Sequence, residues 1–220
     1  MVKETQMNLN KPSKNEMDRI SALWKRYPNF MHYEYQVNAL EWLFKSYPNN
    51  TNLNEVIIKV ACLDRLYSTN ITKSYKIPQV AQKILESGFD DRVQKGDITL
   101  VDDIASLGKT QIEEQGGKQI LSFASKYCVW HSSVVYGKDD FVIIDSIVKT
   151  KLKEFNDDER YNFAPRFSKK DLKDYKKYKE ILEKFREFFG LKECSFRDID
   201  RYLWRLGKLE QRVLQQMVWS

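Results

Sequence analysis

The chain has 220 residues, of which 42% are hydrophobic, 13% aromatic and 31% charged. This composition excludes a disordered chain, which carries few aromatic residues, and a membrane bundle, which carries few charges. With 37 Lys and Arg against 31 Asp and Glu, the net charge is +6, a sign that suits an anionic partner but is also common in proteins without one. Only eight Gly and five Pro interrupt the chain, so we expect mainly helices.

The cysteines and histidines do not indicate a metal site. Cys62, Cys128 and Cys194 are widely separated, form no Cys-x-x-Cys pair and are odd in number, which argues against a secreted disulfide framework. The N-terminal segment lacks the apolar stretch of a signal peptide, and no apolar run approaches the ~18 residues that span a bilayer. We therefore expect a soluble, cytoplasmic protein without a metal, a cofactor or a membrane partner.

In chain order, the first half shows helical spacing of apolar residues, interrupted by Pro, Gly and polar turns. The first helix begins at Ser13, which is followed by Glu16 at the capping-box spacing, and stops before Pro28. Helices are expected over residues 13–27, about 32–47, 53–67, from Pro78 until Gly88, and 98–107.

The second half contains the most apolar segment of the chain, residues 118–131. Its apolar residues lie nearly all round the predicted helix, so we expect this helix at the centre of the fold. A loop is expected over 132–140. The short run FVIID (141–145) is either a buried strand or the lead into a helix that begins at Asp145, because no partner strand is evident.

Charged segments make up the remainder of the chain. A long helix is expected over 168–189 and another over 195–206, followed by a terminal segment to Trp219. The lysine-rich run 169–179 is interpreted as the solvated face of the long helix. About ten short helices with little or no sheet predict an all-α fold.

Two charged residues lie in apolar surroundings, Lys126 within FASKYC and Asp145 at the end of FVIID. Desolvation disfavours the charged form of a lysine, and a neutral lysine amine is a nucleophile. The positive end of a helix dipole favours an ionised Asp145, which would stabilise positive charge on a sugar ring. The alternatives are that Lys126 extends its amine to water and that Asp145 is only a helix N-cap.

The stretch ILSFASKYCVWHSSVVYGKDDFVIIDSIV (120–148) resembles the active-site segment of the helix-hairpin-helix DNA glycosylases, and is most similar to the 8-oxoguanine glycosylases. In that family a lysine on the helix after the hairpin precedes a loop and an apolar run that ends in an aspartate. The resemblance implies that Lys126 is the Schiff-base nucleophile and that Asp145 is the catalytic carboxylate.

The resemblance also implies a fold and a function. The fold is all-α and two-lobed with a central cleft, in one glycosylase-like unit over 1–220. Lobe A covers about 50–144, and lobe B covers about 1–49 plus 145–220. The function is excision of a modified base from duplex DNA with associated lyase activity, in repair or in defence against modified foreign DNA. Such enzymes expel the target nucleotide into a pocket. No obligatory protein partner is implied.

Further residues are predicted to contact DNA. A weaker match over VACLDRLYSTNITK (60–73) assigns Asn70 to the loop that enters the duplex opposite the expelled base, and the alternative is an ordinary turn residue. His131 is alternatively a residue that caps its loop. Phosphate contacts are expected from Lys73, Lys76, Lys118 and His131. A wall for the expelled base is expected from Tyr127, Trp130 and Trp204, each of which is alternatively a core ring.

One departure from the family leaves other functions open. The family hairpin carries a Gly-apolar-Gly turn whose backbone amides hold a DNA phosphate, whereas this chain has LSFAS (121–125) there, and its glycine pair, Gly116-Gly117, lies earlier. The alternative is a catalytically inactive helical module of the same fold that binds DNA or a protein. A third possibility is a helical scaffold that binds no nucleic acid.

Overall fold

The computed structural model describes residues 9–107 and 120–218, without the side chains of residues 29 and 213–218. Every regular element in these two stretches is helical, and no strand occurs in them. The predicted all-α class is therefore confirmed. Within the same stretches, no helix combines the length and the apolar composition that crossing a bilayer requires.

The α-helices of the described residues follow one another with short connections. Their bounds are α1 Lys14–Lys25, α2 Pro28–Ser46, α3 Leu53–Tyr67, α4 Ile77–Glu86, α5 Phe89–Gln94, α6 Thr99–Ala105, α7 Leu121–Trp130, α8 Ser146–Asp157, α9 Tyr175–Phe188 and α10 Phe196–Val218. Two short 3-10 turns, Ile71–Lys73 and Asp171–Lys173, and a π-helical turn, His131–Val135, complete the set.

Side-chain caps begin several of these helices, at the predicted Ser13 and at Asn52, which was not predicted as a cap. The hydroxyl of Ser13 accepts the backbone N–H of Glu16 at the start of α1. Asn52 caps α3 through its side-chain oxygen, which accepts the N–H of Asn54. Each of these bonds satisfies one of the amide groups that a helix leaves unpaired at its first turn. The bounds predicted for α3 are those observed.

Several elements differ from the predictions for local reasons. The helix predicted over 168–189 begins only at Tyr175, because the side chain of Asp174 caps it by accepting the N–H of Lys177. The loop predicted from residue 132 starts inside the π-helical turn. A short helix, α5, follows Gly88 where none was predicted.

The C-terminal helix is longer than predicted. α10 continues through Gly207, where the predicted helix ended. A side chain at Gly207 would collide with the Cγ2 atom of Ile147 on α8. Gly207 is therefore the point at which α8 and α10 approach closely, and packing outweighs its low helix propensity.

The chain divides into two compact units. The continuous unit runs from Pro28 to Asp145, and the split unit consists of the described residues up to Tyr27 together with those from Ser146 onwards. α2, assigned to lobe B in the predicted division, groups with the continuous unit. Lys126 and Asp145 both belong to the continuous unit, so they do not face each other from different lobes as expected.

α7 forms the centre of the continuous unit. All residues from Phe123 to Trp130 are buried, as are Ile120 before the helix and His131 after it. The prediction of a central helix over 118–131 is thus confirmed for its described part. The extended residues 141–144 are also buried, although they form neither a strand nor a helix.

Aromatic rings form the centre of the split unit. Phe185 on α9 lies with its ring centroid 5.7 Å from Phe155, 5.2 Å from Phe163 and 4.7 Å from Phe189. Phe155 belongs to α8, so this cluster joins α8, α9 and the segment between them. Burial of such large rings is a major stabilising contribution.

Candidate active site

Lys126 lies in the middle of the buried helix α7, and its side chain is only 2% exposed. The flanking residues are apolar, so the helix must enter the core even though this position carries an amine. A buried ammonium is costly unless oxygen atoms surround it. The prediction that this amine avoids bulk water is confirmed, and the alternative of an amine extended to water is wrong.

Three oxygen atoms surround the amine of Lys126. Its Nζ donates to the hydroxyl of Ser122 at 2.8 Å and to the backbone carbonyl of Ile144 at 2.9 Å. The carboxylate of Asp145 lies 3.6 Å away, and its side chain is 20% exposed. The lysine and the aspartate that are 19 residues apart in the sequence are therefore brought together, with the carboxylate on the more exposed side.

Tyr67, at the end of α3, is a site residue that the sequence did not single out. The Nζ of Lys126 lies 5.3 Å from the centroid of its ring. Its hydroxyl accepts the indole N–H of Trp130 at 3.0 Å. Tyr67 is half-buried, so it connects the interior of α7 with the surface loop that follows α3. Helical spacing indicated only that this ring would pack inward.

Asn70 lies on that loop, in a left-handed backbone conformation with φ 56°. Its side chain is exposed and donates to the carbonyl of Ser68 at 2.6 Å. Asp64 supports the loop by accepting the hydroxyl of Thr69 and the N–H of Ile71. Asn70 thus has the conformation of an ordinary turn residue, and its predicted contact with DNA stays a prediction.

The four residues predicted to bind phosphate differ in where the structure places them. Lys73 and Lys76 are exposed in the continuous unit, just beyond the loop of Asn70. Lys118 lies outside the described residues. His131 is completely buried, so its predicted contact with a phosphate is wrong, and its side chain does not cap a loop either.

His131 belongs to a buried polar network centred on Asn50. The side-chain oxygen of Asn50 accepts the hydroxyl of Tyr127 at 2.7 Å and the amine of Lys59 at 2.9 Å. Its amide nitrogen donates to Asp90 at 2.6 Å and lies 3.3 Å from Nε2 of His131. Burial, with a smaller effect of Lys59, holds the pKa of His131 well below its ordinary value, so the ring is neutral and accepts from Asn50.

Two of the three predicted rings of the base pocket, Tyr127 and Trp130, are core residues. Tyr127 and Trp130 are completely buried, and Tyr127 packs against Phe44 and Phe89 with centroid distances of 5.6 Å and 5.2 Å. Trp204 belongs to the split unit and lies 5.2 Å from Trp24. The core alternative therefore describes Tyr127 and Trp130, whereas Trp204 is half-buried and its predicted role stays a prediction.

The residues aligned with the family hairpin do not form a turn. Leu121–Ser125 is the first part of α7. Gly116-Gly117 lies outside the described residues. The lysines of the run 169–179 are exposed apart from Lys179, which agrees with their interpretation as a solvated surface.

A family model described as HI_0787_N, N-terminal domain, matches residues 16–135. The chain belongs to the HI_0787_N family. The matched region contains Lys126 and ends before Asp145. A relative from Haemophilus influenzae, named an uncharacterized protein, is 36% identical over 163 residues, covering 73% of this chain and 70% of its own length. No solved structure matches the chain. The names of the family and of the relative assign no activity.

Proposed function

We propose that this member of the HI_0787_N family is a DNA glycosylase with lyase activity, which excises a modified base through a Schiff base on Lys126. The observation that carries the proposal is the position of the Lys126 amine, enclosed by α7 and 3.6 Å from the Asp145 carboxylate. A buried lysine beside a carboxylate, where desolvation works against the ammonium, is a recognised arrangement for a nucleophilic amine. The resemblance of residues 120–148 to glycosylases supplies the substrate class.

The reaction assigns a separate task to each group. The ammonium of Lys126 first gives up one proton, which passes through the carboxylate of Asp145 to the base that is about to leave, so that Asp145 is ionised again. The electron pair of Nζ then forms a bond to the C1′ atom of the deoxyribose while the bond from C1′ to the base breaks and the base leaves with that electron pair. The ionised carboxylate of Asp145 stabilises the positive charge that develops on the sugar. The C1′–O4′ bond then breaks and O4′ takes a proton from Nζ, which gives an imine between C1′ and Nζ. Removal of a proton from C2′ expels the 3′ phosphate, which leaves with the electron pair of its bond to C3′.

Trapping with borohydride tests this proposal directly. Borohydride reduces an imine to a stable amine, so wild-type protein and duplexes carrying oxidised, alkylated, deaminated or phage-type bases should give a covalent complex of higher mass. Lys126→Ala should form none. Lys83→Ala is the matched control, because this lysine of the same unit pairs with Asp103 on the surface and should leave the adduct unchanged. No adduct with any duplex, or a normal adduct with Lys126→Ala, would exclude the mechanism.

The alternative, an inactive module of the same fold, is supported by the hydrogen bonds of Lys126 itself. The amine donates to Ser122 and to the carbonyl of Ile144, and the same bonds would be useful if the lysine only tied residues 141–144 to α7. Such a module would bind duplex DNA with an affinity that falls steeply with salt, because phosphate contacts release counterions. Salt-dependent binding without any adduct would favour this alternative.

A further inference from the structure

Two serines of α7 hold both backbone groups of Ile144, the residue before Asp145. The N–H of Ile144 donates to the hydroxyl of Ser125 at 3.0 Å, and its carbonyl accepts the hydroxyl of Ser122 at 3.0 Å. We call Ser122 and Ser125 the serine pair. Buried backbone groups outside a sheet require such partners. The serine pair therefore determines where the extended segment lies against α7, and with it the position of Asp145.

The hydroxyl of Ser122 also determines how the amine of Lys126 is bound. A hydroxyl has one hydrogen, and Ser122 donates it to Ile144. Its oxygen is thus left to accept from Nζ of Lys126, at 2.8 Å. A hydrogen bond accepted from the charged form of a group stabilises that form. Ser122 therefore stabilises the ammonium of Lys126 together with the carbonyl of Ile144.

We infer that the serine pair positions the candidate nucleophile: Ser122 holds Lys126 as an ammonium in the resting enzyme, and Ser125 keeps Asp145 in register beside it. This inference rests on the proposed function of Lys126. In the proposed reaction the amine must release one proton before its electron pair attacks C1′. In that step the amine gives up its hydrogen bond to the oxygen of Ser122. Ser122 therefore influences the pH at which the amine becomes reactive.

The other titratable groups that face Lys126 do not replace this contact. Among the described residues they are Asp145, at the end of the segment held by the serine pair, and Tyr67 on α3. Asp145 lies farther from Nζ than the oxygen of Ser122 does, and Tyr67 presents its ring. Removing the hydroxyl of Ser122 takes away a close acceptor of the amine, whereas Asp145 and Tyr67 stay in place.

The test is a titration of the Lys126 amine by NMR, using the full chain labelled with ¹⁵N-lysine. The Lys126 signal is assigned by its loss in Lys126→Gln. In Ser122→Ala, the titration midpoint should move to lower pH by about one pH unit, because a stabilising acceptor of the ammonium is missing. Ser122→Thr retains a hydroxyl and should keep the wild-type midpoint. Ser122→Cys keeps the shape with a weaker acceptor and should shift the midpoint in the same direction as Ser122→Ala.

Ser125 is tested by a different signal, in protein labelled uniformly with ¹⁵N. Ser125→Ala should move the Lys126 midpoint less than Ser122→Ala does, because Nζ keeps the oxygen of Ser122, but it should increase the rate of amide hydrogen exchange at Ile144, whose N–H loses its acceptor. Ser87→Ala is the matched control, since the hydroxyl of Ser87 is half-buried and bonds only to the carbonyl of Ile84. It should change neither signal. An unchanged or raised midpoint in both Ser122→Ala and Ser122→Cys would overturn the inference.

The two proposals fail in different experiments. The midpoint and the amide exchange are measured without DNA, so they report on the serine pair whether or not the protein excises a base. Absence of a borohydride adduct would remove the proposed function alone. If the adduct forms, the midpoint shift in Ser122→Ala should appear as an equal shift in the pH at which adduct formation is half-maximal. A wild-type pH profile in that variant would count against the inference.

Discussion

The continuous unit and the split unit differ in what they bury. Among the described residues, the continuous unit encloses six polar side chains: Asn50, Lys59, Ser125, Lys126, His131 and Ser132. The split unit encloses Lys151, Asn156 and Arg205, and its centre is the ring cluster around Phe185. Buried polar groups cost free energy unless each finds a partner. The continuous unit, which contains Lys126, therefore depends on hydrogen bonds among its buried amines and amides.

Two buried lysines of the continuous unit, Lys59 and Lys126, differ in their partners. Lys59 donates to the carbonyls of Tyr47 and Asn49 and to the side chain of Asn50. No carboxylate pairs with it in the described residues, whereas Lys126 lies beside Asp145. Lys59 holds the turn between α2 and α3. Burial alone thus does not mark a nucleophile, and the neighbouring carboxylate separates Lys126 from Lys59.

The largest effect is expected in the ring cluster of the split unit. Phe185→Ala should lower the free energy of unfolding by about 4 kcal/mol, because it removes a completely buried ring and leaves a cavity. Phe188→Ala, on the same helix, should have little effect, since this ring is 49% exposed. Denaturant unfolding of both variants measures the difference. Equal effects would mean that the cluster is not what stabilises this unit.

The two units can be compared through two asparagines, one in each unit, that are almost equally buried. Asn50 is 5% exposed and contacts four other side chains, whereas Asn156 is 6% exposed and accepts only the N–H of Ala164. Asn50→Ala should cost about 3 kcal/mol, because several buried groups lose their partner, and Asn156→Ala about 1 kcal/mol. Chemical denaturation measures both. A cost for Asn156→Ala as large as that for Asn50→Ala would contradict the contrast between the units.

The smallest effect concerns Lys59 and pH. Burial lowers the pKa of Lys59 from 10.5 to about 8. Between these values the unfolded chain binds more protons than the folded one, so this lysine makes the protein more stable as the pH rises from about 8 towards 10.5. Between pH 7.5 and 9.5 the gain from this lysine should reach about 2 kcal/mol.

The measurement is denaturant unfolding at pH 7.5 to 9.5, below the range in which the buried tyrosines ionise. Burial raises the pKa values of Tyr127 and Tyr202, so their effect has the opposite sign and appears only at higher pH. Burial also raises the pKa of the Cys128 thiol, which lowers stability within this range in both proteins, so the difference between the two proteins isolates Lys59. Lys59→Gln is the reference, and it should lack the rise. A parallel pH dependence of the two proteins would show that Lys59 does not titrate in this range.

The sequence by itself determined the helical class and most of the helices of the continuous unit. α3 has the predicted bounds because the apolar spacing and the cap at Asn52 are local signals. The burial of α7 was likewise predictable, since its residues are apolar nearly all round. The apolar residues around Lys126 and Asp145, and the resemblance of their segment to the glycosylases, predicted a role for both residues. The sequence did not show that they lie in contact.

Only the tertiary structure decided which buried polar side chains contact one another. Asn50 meets Tyr127 and His131 across 77 and 81 residues of sequence, and Ser122 meets Ile144 across 22. Whether a polar side chain in an apolar segment is exposed or bonded depends on which segment packs opposite it, and periodicity within one helix holds no information about that. For the same reason Trp130 and Tyr127 were ambiguous between a pocket and the core until their neighbours were known.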